Sequence, residues 1–134
     1  MLLKFALIVS IAGLAGLAQE IKRVPAKATS KASGVEMYRA YCSPCHGLQG
    51  KGDGPAAPAL KKQPLDLSQL SRNNGGKFPA GRIQSALNEV GTAAHGSREM
   101  PIWGDVFRAM EHDSAGVAMR TMNLAKYIES LQQK

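Results

Sequence analysis

Apolar positions near the carboxy terminus recur at helical spacing: Val117, Thr121, Leu124, Ile128 and Leu131 step by four, three, four and three. That stripe predicts an amphipathic helix, capped by Asp113 or Ser114. Gly81 to Val90 predicts another, with Ile83, Ala86, Leu87 and Val90 on one face and Gly91 as its stop. Upstream, Ser33-x-x-Glu36 is a capping box, so a helix should start at Gly34. Gly34 and Tyr38 share a face of that helix by their spacing of four. Leu65 to Leu70 has room for one short helical turn, and residues 47–64 are Gly- and Pro-rich loop. No stretch alternates with period two, so the fold class is all-α.

The first 18 residues carry a different pattern. Lys4 is followed by an uncharged run of 14 residues, Phe5 to Ala18. A membrane-spanning helix needs roughly 20 apolar residues, whereas a run of this length suits the apolar region of a secretory signal peptide. Gly16 and Ala18 supply small residues for cleavage before Gln19. Residues 1–18 are therefore expected to be a signal peptide, with an uncleaved anchor as the competing reading. Residues 19–32 hold Lys22, Arg23, Lys27 and Lys31 against Glu20 alone, and read as a basic flexible tether. The compact domain is expected over 33–134.

Composition narrows the chemistry. The chain has 134 residues, enough for one domain. Aromatics are only 5%, a thin supply of large core-filling side chains, so something other than protein is expected to help fill the interior. Two cysteines cannot build a disulfide lattice or a four-cysteine metal site. The net charge of +7 suits an acidic partner surface; no basic–aromatic interleaving supports nucleic acid.

Cys42-Ser-Pro-Cys45-His46 is a C-x-x-C-H sequence, the attachment signature for c-type haem. Two thiols three positions apart on a helical turn can each add to one haem vinyl group, and the imidazole that follows lies on the proximal side of the iron. Competing readings are weaker. A redox-active C-x-x-C calls for a preceding strand, which is not predicted. A zinc site needs two more ligands, and His95 and His112 lie 17 apart, outside the usual spacing. A plain disulfide leaves His46 unexplained.

Low-spin electron-transfer haem commonly adds a methionine as its second axial ligand. Met100, Met110, Met119 and Met122 follow the motif. Met100 precedes Pro101 in a loop-like stretch, and the proline pushes it out of helical geometry toward a position from which it can face a metal. Met119 and Met122 fall in the predicted final helix, and Met110 lies close to its start.

Taken together, the chain resembles a class I monohaem cytochrome c over about residues 33–133. The features are Gly34-x-x-x-Tyr38, Cys42-Ser-Pro-Cys45-His46, Gly50-Lys-Gly52-Asp53-Gly54-Pro55, and His95-Gly96-Ser-Arg-Glu-Met100-Pro101-Ile-Trp103-Gly104. The resemblance implies three to five short helices wrapped round one haem c, covalently bound through Cys42 and Cys45, with His46 and Met100 as iron ligands. It implies that the terminal helices cross where Gly34 admits a close backbone approach, with Tyr38 beside Leu124 and Tyr127. A proline carbonyl would hold the His46 ring, with Pro55 favoured over Pro58. Trp103 could donate its indole N–H to a haem propionate, and Arg82, Arg98 or Arg72 could pair with it. His95 is a rival sixth ligand.

The expected function is that of an exported, periplasmic electron carrier with no substrate site, meeting redox partner proteins through their acidic docking faces. Nucleic acid is not an expected partner, and the membrane is one only if the signal segment is retained as an anchor. The alternatives are a cytochrome subunit held permanently in a dehydrogenase or oxidase complex, and a five-coordinate haem sensor or peroxidase.

Overall fold

Ser33 opens the first helix as its spacing requires: its Oγ accepts from the Glu36 N–H at 3.2 Å. The reciprocal half of the box is displaced, because Glu36 Oε2 accepts from the Ser30 N–H at 3.3 Å instead. The computed structural model describes residues 26–88 and 100–133. The expected signal segment, the start of the expected basic tether, the Gly91 stop, His95 and Arg98 lie outside the described residues.

Helix α1 is Gly34–Met37. It runs on through a π-helical turn, Tyr38–Cys42, into α2, Ser43–His46. In that turn the Ser43 N–H bonds back five residues to the Tyr38 carbonyl. Pro44 has no N–H to offer the preceding turn, and Ser43 Oγ donates to the Arg39 carbonyl at 2.8 Å. After a loop with short 3-10 turns come α3, Ala80–Asn88, α4, Trp103–Met110, and α5, Ser114–Ser130. Among the described residues there is no strand, and the fold is all-α.

The expected turn at Leu65–Leu70 is a 3-10 turn at Leu67–Gln69, started by Asp66, which accepts from the Ser68 N–H at 2.9 Å. Asp113 rather than Ser114 caps α5, accepting from the Gly116 N–H at 2.6 Å. Helix α4 was not among the predicted elements. Trp103, Val106, Phe107 and Met110 do repeat at three, four and seven, but a run of eight residues is too short for the pattern to stand out.

Helix α5 is the spine, with α1, α3 and α4 all packed on it. Its approach to α1 depends on Gly34, where a Cβ would collide with the Asn123 carbonyl oxygen. Tyr38 stacks obliquely on Tyr127 with ring centroids 5.2 Å apart, and it shares one core cluster with Leu124 and Ile128. Helix α4 crosses the end of α3 at Gly104, where a Cβ would sit 2.8 Å from the Asn88 Cα.

The start of the domain departs from the sequence reading. The tether expected over 19–32 is docked at its carboxy-terminal end. Thr29 is buried, Asn123 donates to the Lys31 carbonyl at 2.9 Å, and Lys31 Nζ reaches Glu111 at 3.1 Å.

Candidate functional site

The helical run through α2 places Cys42 in the core and Cys45 and His46 beside it at partial exposure. The loop then folds back over the motif through its own backbone. The Gly52 N–H bonds the His46 carbonyl at 2.9 Å, Gly54 bonds Cys45 at 3.1 Å, and Ala56 bonds Pro44 at 2.8 Å. Tyr38 Oη donates to the Gly47 carbonyl at 2.8 Å, tying the motif to the α1–α5 crossing. Burial, and secondarily the neighbouring Cys42 thiol, pushes the Tyr38 hydroxyl well above its usual pKa, so it stays a neutral donor.

The ring of His46 is held by the Leu65 carbonyl, 3.0 Å from Nδ1. This corrects the expectation of Pro55. Pro55 is exposed, and the Gly-Asp-Gly turn before it spends its backbone N–H groups on closing over the motif. Pro58, in the neighbouring 3-10 turn, is exposed as well. A carbonyl can only accept, so the bond makes Nδ1 the protonated nitrogen and leaves Nε2 as the basic one.

Cys42, Cys45, His46 and Met100 line one cavity of about 330 Å³. Its walls are largely aliphatic, with Leu67 and Leu70 from the loop, Ile83 and Leu87 from α3, and Ile128 from α5. Tyr41 and Trp103 form an aromatic wall, stacked with centroids 5.0 Å apart at an interplanar angle of 25°. Of the expected residues, Arg82 also lines this cavity and Arg72 does not. Met110 packs against the core near Tyr41, while Met119 and Met122 lie exposed on α5. Among the described residues Met100 is therefore the methionine that lines the same cavity as His46.

The cavity suits a large, flat, mostly apolar group with a few polar substituents. Its four chemically distinctive side chains are two thiols, an imidazole and a thioether, the donor set of a c-type haem. Trp103 is 7% exposed and lines the cavity, and among the described residues no acceptor meets its indole N–H. Lys62, Gln63, Asn73 and Asn74 also reach the lining, and sequence reasoning did not single them out. Lys62 and Gln63 sit in loop and Asn73 and Asn74 in a single 3-10 turn, too short for periodicity to mark a direction.

The thiols argue against redox chemistry of their own. Burial, with a smaller contribution from Cys45, pushes the Cys42 thiol up to about 12. An attacking thiol in a redox-active C-x-x-C has its pKa lowered instead. No group of three or more metal-binding side chains of the zinc type occurs among the described residues.

A family model described as cytochrome c oxidase, cbb3-type, subunit III matches residues 29–118. No curated protein and no solved structure matches the chain.

Proposed function

The chain belongs to the family described as cytochrome c oxidase, cbb3-type, subunit III, a c-type cytochrome family of haem-based electron transfer, and on that premise we propose that it is an exported single-haem carrier with His46 and Met100 as axial ligands. The observation that carries this reading is the single apolar cavity shared by Cys42, Cys45, His46 and Met100. When bound, haem supplies one-electron exchange between the ferrous and ferric states.

The protein's own contribution is to hold and to exclude. Cys42 and Cys45 would anchor the group covalently through thioether bonds. The Leu65 carbonyl orients the His46 ring and raises the basicity of Nε2. Pro101 sets the backbone from which Met100 faces the cavity. Leucines, isoleucines and the Tyr41–Trp103 wall keep water away, which favours the less charged, reduced state. Trp103 and Arg82 would take a haem carboxylate. His46 and Met100 together would hold the iron and leave no position for a substrate, which is why we read the protein as a carrier rather than an enzyme. Export follows from the signal-like run Phe5 to Ala18. The +7 charge would steer the carrier toward acidic faces on its redox partners.

A second reading, a cytochrome held within an oxidase or dehydrogenase complex, is favoured by the family's description and by two exposed leucines. Leu48, 67% exposed, lies two residues after His46; Leu65, 54% exposed, supplies the carbonyl at its ring. Co-purification with a flavin, quinone or copper protein would select this reading.

Visible spectra of the exported protein, oxidised and reduced, test the ligation. The wild type should show covalent haem with a far-red sulfur-to-iron band, and Met100→Ala should lose that band. High-spin haem in the wild type would overturn Met100 as ligand. Absence of covalent haem would overturn the carrier altogether.

A further inference from the structure

Arg120 lies within the apolar seam of α5, three residues after Val117 and four before Leu124, and is only 5% exposed. A guanidinium there is costly unless its donors are satisfied. Nε donates to Glu111 Oε1 at 2.6 Å, Nη1 to Thr29 Oγ1 at 3.1 Å, and Nη2 to the Thr29 carbonyl at 2.9 Å. Its face also rests on the Phe107 ring, 5.9 Å from the centroid.

The bonds have one consistent direction. Tyr41 Oη has a single hydrogen, and the Lys27 carbonyl at 2.5 Å can only accept it. Thr29 Oγ1, 2.8 Å from Tyr41 Oη, must then donate to it, while itself accepting from Arg120. A chain of donors thus runs from Arg120 through Thr29 and Tyr41 to Lys27. Tyr41 is also the cavity wall, stacked on Trp103 and adjacent in sequence to Cys42.

We propose that residues 27–31 are a strap that braces the Tyr41 wall of the haem pocket from outside, and that Arg120 is the positioning residue that fastens it, 91 residues from Thr29 in sequence. The inference rests on the carrier reading above. The strap fixes the Tyr41 hydroxyl, the hydroxyl fixes the ring, and the ring braces Trp103 against the cavity. Releasing it lets the aromatic wall tilt and water approach, which favours the oxidised state and lowers the reduction potential.

The test uses the full haem-loaded chain as wild type, Thr29→Val, Tyr41→Phe and Arg120→Gln. Thr29→Val and Tyr41→Phe keep the packing, so they answer the question even where Arg120→Gln does not fold. At a fixed poise their oxidised-to-reduced ratio should rise by up to about tenfold, which is a potential lower by up to about 59 mV for one electron. Tryptic cleavage after Lys27 and Lys31 should become several-fold faster. Faster cleavage with an unmoved potential and an unmoved far-red band would reduce the strap to a structural clasp and overturn the positioning role. Unchanged cleavage would show that these bonds do not hold the strap at all. Wild-type protein without covalent haem overturns the carrier reading, an outcome distinct from either.

Discussion

Gly34 of α1 lies against the carbonyl of Asn123 in α5 so closely that the space between them admits no Cβ. The crossing they form holds Tyr38 on Tyr127, and Tyr38 in turn holds the Gly47 carbonyl just after the haem motif. Helix packing and cofactor site are mechanically continuous at this point. Gly34→Ala should therefore cost about 1–3 kcal/mol of stability, because the obstacle is backbone and cannot swing aside. Thermal or denaturant unfolding of the haem-loaded variant measures it. A midpoint equal to that of the wild type would show that the helices separate without penalty.

Gly104 makes the corresponding contact between α4 and α3, with a Cβ falling 2.8 Å from both Cα and O of Asn88. Gly104→Ala should push the start of α4 outward, and with it Trp103 and the nearby Met100. We expect a loss of about 1–3 kcal/mol together with a weakened far-red band. A stability loss with an intact band would mean that the Met100 loop is positioned independently of α4.

Glu111 ties α4's end to the strap and to α5 through Lys31 at 3.1 Å and Arg120 at 2.6 Å. Its hydrogen bonds from Arg120 and then Lys31 hold the carboxyl below its ordinary 4.5. A group with a lowered folded pKa binds fewer protons folded than unfolded, so its stabilisation is complete above about 4.5 and is lost as pH falls through the lower folded value. Unfolding midpoints taken down through that range should fall for the wild type. In Glu111→Gln the fall should be shallower by the share of one group. Identical slopes would show that other carboxylates carry the acid sensitivity.

Trp103→Phe keeps an aromatic face on Tyr41 and removes the indole N–H. On the proposal that this donor serves a haem carboxylate, its loss would leave the carboxylate more negative, which favours ferric iron and lowers the potential. Potentiometry alongside thermal unfolding separates the two roles of the residue. A lowered melting point with an unmoved potential would assign Trp103 to packing alone.

Much of the fold was legible because its signals are local. The Ser33 and Asp113 caps, the α5 stripe and the α3 face each depend on residues three or four apart, and a helix brings such residues together whatever surrounds it. The Gly34 contact was legible for a different reason, through the resemblance rather than through periodicity. Helix α4 escaped notice since its two turns are anchored by tertiary packing of Trp103 and Phe107 more than by propensity. Arg120 carried a signal that was passed over, a charge at a seam position where the spacing calls for an apolar side chain.

By itself the sequence determined the helical class, the C-x-x-C-H motif whose spacing defines its chemistry, and the proline that marks Met100. Each is a matter of covalent adjacency or of one helical repeat. Only the tertiary structure decided that Leu65 rather than Pro55 holds His46, and that the arm before Ser33 is fastened by Arg120. A hydrogen bond between distant residues goes to whichever carbonyl or hydroxyl the packed backbone brings within about 3 Å. That proximity belongs to the folded chain and to no short stretch of it.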